Sequence, residues 1–187
     1  MLKLNLAEEI RYNYEDYLTW DDAVRYELID GVPYLMAGPS QAHQEISGEL
    51  FFQLRQFLKG KPCKVFHAAF DVRLNAESYD DIIVQPDLLV VCEKSKLDGR
   101  SCVGAPDMII EILSPANPRH DTAVKFRLYQ KAGVREYWVV DPDRKTVSVH
   151  VLEKGKYFTA VYFDDDIVPV SVLSGCQIYL SDVFEEL

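Results

Sequence analysis

The chain has 187 residues, of which 48% are hydrophobic and 12% aromatic, so its composition excludes a disordered or low-complexity protein. This length suits one globular core, and we expect a single domain over residues 1–187. The net charge of −10 argues against a strongly basic nucleic-acid-binding surface, because phosphate contacts come from lysine and arginine.

The first sixty residues predict a helix, a hairpin and a long second helix. A short acidic helix is expected over residues 14–23, followed by strands at Tyr26–Ile29 and Pro33–Met36 around an Asp-Gly turn. Ser40 is a suitable N-cap for a helix extending to Lys59, in which apolar residues recur every three or four positions.

The remainder of the chain predicts strands and one further helix. The strands are expected at 64–74, 82–92, 107–113, 136–140, 146–152, 157–163 and 177–180. A helix with Asp121 as its N-cap runs to Ala132 and ends at Gly133. This order favours an α/β fold in which strands 107–113 and 136–140 are parallel neighbours.

Three features of the sequence bear on the cellular location of the protein. No apolar run approaches the roughly 20 residues of a membrane span, and the first ten residues lack a signal-peptide core. We therefore expect a cytoplasmic protein without a membrane segment. The four cysteines form no CxxC pair and no zinc-ligand spacing, so we expect reduced thiols, with Cys92 packed as a small hydrophobic residue.

Two acidic residues lie in strongly apolar strand segments. Asp87 precedes Leu88–Val91, and Glu111 lies within Met108–Leu113. A buried carboxylate costs several kcal/mol unless it is paired or bound to a metal, so two of them on pairing strands indicate a shared site. A divalent cation would relieve their mutual repulsion, and oxygen ligands favour Mg²⁺ or Mn²⁺ over zinc.

A lysine two residues after Glu111 would complete an E-X-K motif, but Leu113 occupies that position. On the next helix, Lys125 lies one turn from the N-terminus, and its side chain can reach back over the end of the sheet. Its ammonium group could orient the attacking water or neutralise charge on a phosphate. Lys131 is nearly two turns farther away and is the weaker candidate.

Basic residues are concentrated around this helix, although the chain as a whole is acidic. Residues 119–135 contain one acid, Asp121, and five bases: Arg119, Lys125, Arg127, Lys131 and Arg135. Such a helix is most often a solvated face. The charge pattern therefore permits DNA binding without requiring it.

Short motifs distributed over most of the chain form a specific combination. They are Tyr26-Glu27-Leu28-Ile29-Asp30-Gly31, His43, Gln85-Pro86-Asp87, Val103-Gly104-Ala105-Pro106-Asp107, Glu111-Ile112-Leu113-Ser114-Pro115, Asp121, Lys125, Tyr129, Ala132-Gly133-Val134 and Glu136-Tyr137-Trp138-Val139-Val140-Asp141. This combination resembles the Uma-two endonuclease family, a bacterial and especially cyanobacterial group within the PD-(D/E)XK, or restriction-endonuclease-like, superfamily.

The resemblance implies an α/β, restriction-endonuclease-like core: a central mixed β-sheet flanked by helices, with an N-terminal hairpin and extra C-terminal strands. It further implies a homodimeric endodeoxyribonuclease that hydrolyses DNA phosphodiester bonds with Mg²⁺ or Mn²⁺ and no organic cofactor. Asp87 and Glu111 map onto the metal-binding acids, the carbonyl of Ile112 is a further expected metal ligand, and Lys125 maps onto a lysine that has moved from strand to helix.

Three more residues are candidates for contacts around the metal. Glu27 lies beside the hairpin turn, His43 precedes the long helix, and Glu49 lies on that helix at the edge of its apolar face. In the superfamily, an acid on the first core helix often reaches the metal through water. The alternative for His43 and Glu49 is a capping or surface role.

The principal site residues also have purely structural alternatives. Asp87 could bond nearby backbone at the start of a strand, Glu111 could form a buried salt bridge with Lys125, and Lys125 could be an exposed helix lysine. For Tyr137 and Trp138, we expect places in the core rather than base-stacking roles, because they begin a buried strand.

Two other functions remain open at this point. The missing strand lysine and the acidic net charge favour a catalytically weak or inactive nuclease-fold module that binds nucleic acid or a protein partner. A metal-dependent phosphodiesterase acting on something smaller than DNA is the third possibility, and its activity would be insensitive to salt.

Overall fold

The computed structural model describes residues 10–20, 24–114 and 119–185, with side chains described from Ala123 onward in the helix that begins at Arg119. Its helices are α1 (Tyr14–Tyr17), α2 (Gln41–Phe57), α3 (Arg119–Ala132) and α4 (Leu180–Val183). Its strands are β1 (Tyr26–Ile29), β2 (Val32–Leu35), β3 (Lys64–His67), β4 (Asp71–Arg73), β5 (Ile83–Val84), β6 (Leu88–Val91), β7 (Ser101–Val103), β8 (Met108–Ile112), β9 (Glu136–Asp141), β10 (Thr146–Glu153), β11 (Lys156–Phe163), β12 (Ile167–Pro169) and β13 (Gln177–Tyr179).

A six-stranded mixed sheet forms the centre of the molecule, in the order β11-β10-β9-β8-β6-β3. The pair β8 and β9 is parallel, and the others are antiparallel. A second sheet has the order β2-β1-β5-β4-β7, and β12 pairs with β13. The predicted fold class is confirmed, as are the parallel pair and the N-terminal hairpin.

Two segments predicted as single strands are each divided between the two sheets. The segment 64–74 forms β3 and β4, and the segment 82–92 forms β5 and β6. Pro86 explains the second break, because proline has no N–H to donate to a ladder. The predictions placed one strand where the chain crosses from one sheet to the other.

Helix α2 packs on one face of the central sheet. The Ser40 side chain accepts a hydrogen bond from the His43 N–H at 3.2 Å, which confirms the predicted N-cap. Ile46, Leu50 and Leu54 are fully buried against a core that includes Leu88 and Ile110 and that the C-terminal strands close.

Helix α3 and the second sheet cover the opposite face. There Leu89, Ile109 and Tyr137 pack with Tyr129 of α3. Tyr137 and Trp138 are both core residues, as predicted, with at most 1% of their surface exposed. Helix α3 begins at Arg119, two residues before Asp121, so the predicted N-cap was wrong.

A disulfide joins Cys63 to Cys92, so the expectation of reduced thiols was wrong for this pair. Cys63 directly precedes β3 and Cys92 directly follows β6, and the antiparallel register Lys64↔Val91 sets the two cysteines opposite each other. Their 29-residue separation gives no sign of this pairing. Cys102 and Cys176 are free and buried.

Three parts of the predictions fall outside the described residues: the first nine residues, the end of the acidic helix at 21–23, and Pro115 after β8. Within the described part of the chain, none of the helices is both long enough and apolar enough to cross a membrane.

Candidate active site

The antiparallel pairing of β6 and β8 brings the two predicted acids together. The register Leu88↔Ile110 places Asp87 opposite Glu111 one step farther along the ladder. By strand alternation both side chains project on the face that α3 covers. The two residues line a cavity of about 380 Å³ at this end of the sheet.

Asp87 is held at both carboxylate oxygens. The backbone N–H of Ile112 donates to its Oδ2 at 2.7 Å, and His43 Nε2 lies 3.1 Å from its Oδ1. The backbone-bonding alternative for Asp87 is thus realised together with a place in the cavity. Both contacts fix the orientation of the carboxylate.

Glu111 is held by two residues of α3. Its Oε1 accepts hydrogen bonds from the Tyr129 hydroxyl at 2.6 Å and from Lys125 Nζ at 3.1 Å. Burial raises the pKa of Glu111 to about 7; Lys125 opposes this shift, whereas the charges of Asp87 and Glu27 add to it. The carboxylates are therefore close enough to repel one another.

Lys125 is buried, with 5% of its surface exposed, which excludes the exposed-lysine alternative. Its Nζ lies 3.0 Å from Glu27 Oε1 as well as 3.1 Å from Glu111 Oε1. The buried ion pair considered for Glu111 therefore exists. The lysine stays a candidate catalytic group, since it also lines the cavity.

His43 and Glu27 both lie at this site. Burial lowers the pKa of His43, but the hydrogen bond to Asp87 and the charges of Asp87 and Glu111 outweigh it, so the pKa is raised. Glu27 Oε1 accepts a hydrogen bond from the Gln85 N–H at 3.1 Å as well as from Lys125. Both residues line the cavity.

Glu49 lies outside the group of residues that line the cavity. Its Oε1 accepts a hydrogen bond from Gln53 at 3.0 Å, one turn along α2. The cavity wall from α2 is built by His43, Gln44 and Ser47 instead. The helix thus contributes to the site from its first two turns.

Comparison with known proteins places the chain in a family. Residues 14–181 match the model of the Uma2 family, described as "Putative restriction endonuclease". The chain belongs to the Uma2 family. This confirms the resemblance drawn from the sequence motifs.

Two known proteins resemble this Uma2 member. A crystal structure described as "a putative nuclease belonging to DUF820" from Anabaena variabilis superposes with a TM-score of 0.76 over 93% of this chain and 98% of that one, at 23% identity. An uncharacterised protein of Synechocystis is 30% identical over 118 residues, or 62% of this chain. That match spans 60% of the Synechocystis protein. The structural likeness supports the fold.

Several residues of the site had no role predicted from the sequence. Gln85 and Tyr129 belong to the quoted motifs, and Tyr129 follows Lys125 by one helical turn, which could have suggested a shared contact. Arg25 gave one weak signal, because it lies two residues before Glu27 and so on the same face of an extended chain. Its Nε donates to Gln85 Oε1 at 2.8 Å.

The donor set of the site fits an oxygen-bound divalent cation. No described residue donates a hydrogen bond to Glu111 Oε2, and carboxylate oxygens that accept one bond keep a further lone pair. The described residues contain no group of three or more His, Cys, Asp or Glu side chains arranged to hold an ion. Two carboxylates with several waters are typical of Mg²⁺, whereas zinc requires a denser ligand set.

Proposed function

We propose that this Uma2 protein is a Mg²⁺- or Mn²⁺-dependent endonuclease that hydrolyses DNA phosphodiester bonds. The observation that carries the proposal is that Asp87, directly before β6, lies opposite Glu111 of β8 where their register continues, with the Lys125 amine 3.1 Å from Glu111. The family description supports a nuclease. Single-domain organisation, a homodimeric state and a cytoplasmic location stay predictions.

In this proposal Asp87, Glu111 and the carbonyl of Ile112 would hold the cation. When bound, it would polarise the phosphate and lower the pKa of a coordinated water. His43 and the Ile112 N–H keep Asp87 oriented toward the cavity. Lys125 supplies positive charge beside Glu111, where negative charge develops on the phosphate.

Plasmid nicking tests the proposal directly. We expect cleavage with Mg²⁺ or Mn²⁺, no cleavage in EDTA, and a loss of at least a hundredfold in Asp87→Asn and Glu111→Gln. Glu49→Gln is the matched control, because it removes a carboxylate outside the cavity and should cleave like the wild type. Undiminished cleavage by both cavity variants would show that chemistry occurs elsewhere.

Calorimetry with Mn²⁺ gives a readout independent of cleavage. We expect one site per chain that is lost in Asp87→Asn and kept in Glu49→Gln. RNA and single-stranded DNA of the same sequence, assayed in parallel, decide whether duplex DNA is the preferred substrate. A small phosphodiester cleaved equally well at high salt would favour the smaller-substrate alternative.

A non-catalytic nuclease-fold module is the second candidate. It is favoured because Lys125 is paired with two carboxylates, an arrangement that can be purely structural. Of the basic residues with described side chains on α3, Lys125 lines the cavity, whereas Arg127 and Lys131 are exposed outside it. This candidate predicts nucleic-acid or protein binding without metal-dependent cleavage in the wild type.

A further inference from the structure

Arg25 lies on the cavity side of the N-terminal hairpin, directly before β1. Side chains of an extended segment alternate, so Arg25, Glu27 and Ile29 share one face, and all three line the cavity. Arg25 also lines a second, neighbouring cavity of about 250 Å³ that contains Tyr17 and Asp71. It therefore stands where the two cavities meet.

The guanidinium group of Arg25 is only partly satisfied. Its Nε donates to Gln85 Oε1, but its Nη2 is buried and has no hydrogen-bond partner among the described residues. A buried donor on a charged group is costly to leave unpaired. A partly unpaired guanidinium group that lines a cavity can take up an acceptor that arrives with the ligand.

Gln85 keeps this guanidinium available. Its side-chain oxygen accepts from Arg25 Nε, while its Nε2 donates to Asp71 Oδ1 at 2.9 Å and to the Tyr17 hydroxyl at 3.0 Å. The amide thus links Arg25 to Asp71, the acid that lines the second cavity. Arg25 still lines the first cavity, together with His43 and Asp87.

The charge of the metal-free cavity favours such a group. Glu27, Asp87 and Glu111 contribute three carboxylates, and Lys125 is engaged with two of them. Without a bound divalent cation, a phosphate entering this cavity would be repelled unless another positive group faced it. Arginine suits that role, because its planar guanidinium matches the oxygens of a phosphate.

We propose that Arg25 binds a phosphate group of the nucleic-acid strand in the cavity, through its guanidinium group, and that Gln85 orients it. The inference rests on the proposed function, since it names a contact to that substrate. A phosphate contact adds affinity without reading the sequence. Arg25 would therefore act equally on oligonucleotides of any sequence.

Fluorescence anisotropy with a labelled 20-base-pair DNA duplex in EDTA tests the contact without cleavage. We expect Arg25→Gln to weaken binding roughly tenfold or more and to reduce the slope of log K against log salt concentration by about 0.9. Arg25→Lys should retain the slope with intermediate affinity. Arg100→Gln is the matched control, because it removes the same charge from an exposed loop outside both cavities.

A series of duplexes with single uncharged methylphosphonates separates direct contact from support of the fold. For wild-type protein, one position should weaken binding, and the same substitution should have no further effect on Arg25→Gln. Gln85→Ala keeps the charge of Arg25 but removes the acceptor of its Nε, so the position-specific loss should become smaller without disappearing, and a loss of full size would exclude the orienting role of Gln85. Thermal unfolding confirms that each variant is folded.

The outcomes distinguish this inference from the proposed function. Wild-type binding with unchanged affinity and salt slope in Arg25→Gln would overturn the role of Arg25 alone. Equal methylphosphonate effects in wild type and Arg25→Gln would do the same. A wild-type protein that binds neither DNA nor RNA would overturn the proposed function, and the inference with it.

Discussion

Replacing Lys125 with methionine is expected to destabilise the fold by about 3–5 kcal/mol. Methionine keeps most of the volume of the buried stem, so the change removes charge rather than creating a large cavity. It leaves Glu27 and Glu111 without the ammonium group that contacts both of them, at 3.0 and 3.1 Å. Two buried carboxylates then face each other across the vacated position.

The magnitude follows from the two distances. At an effective dielectric constant of about 20, each contact is worth about 5 kcal/mol of Coulomb attraction. Desolvation of the lysine offsets several kcal/mol of that sum, which explains why the net loss is smaller than the two contacts together. Adding Glu27→Gln to Lys125→Met removes one orphaned charge and should restore part of the loss.

Urea unfolding in EDTA, followed by circular dichroism, measures this loss. Lys131→Met is the matched control, since Lys131 is exposed on the same helix, and its effect should stay within about 0.5 kcal/mol. A loss below about 1 kcal/mol for Lys125→Met would refute the reasoning. So would a double variant less stable than Lys125→Met alone.

Two other predictions concern stability. Burial lowers the pKa of His150 from its ordinary 6.5 to about 4, so between these values the unfolded chain binds a proton that the folded protein does not. Stability should therefore fall by up to about 3 kcal/mol as the pH drops from 6.5 to 4 relative to His150→Gln, and parallel unfolding curves would contradict this. Reducing the disulfide, which closes a loop with a separation of 29 residues, should cost about 3.6 kcal/mol in urea unfolding. Cys63→Ser should have lost that stability already and should not respond to reductant.

The paired acids could be predicted because they violate the strand pattern around them. A carboxylate between Pro86 and Leu88, and another within Met108–Leu113, conflict with burial unless something compensates for them. Continuous apolar runs predicted both strands, although the segment 82–92 is divided into β5 and β6, and their succession along the chain favoured pairing. The register between β6 and β8 was not predicted. Its continuation in the structure places Asp87 opposite Glu111.

The residues around the acids could not be predicted, because they come from elements that meet only in three dimensions. Arg25 is 60 residues from the Gln85 amide that it contacts, and Glu27 is 98 residues from Lys125. Glu49 shows the converse error: it lies two residues beyond Ser47, which lines the cavity, and its side chain is therefore turned about 200° around α2 from that residue. Apolar periodicity identifies the face of a helix that packs on the core and not the part of the helix surface that borders a cavity.

The position of Lys125 also depends on how separate elements meet in three dimensions. Strand alternation puts residue 113 on the face that carries Glu111, and Leu113 packs there against the core under α3. Because α3 covers this face, an amine projecting from the helix can approach Glu111 from above, and Lys125 does so at 3.1 Å. An E-X-K spacing describes an amine that is delivered along the strand. The structure delivers it from the covering helix, so the identity of the lysine depends on which element covers the acid rather than on its distance in sequence.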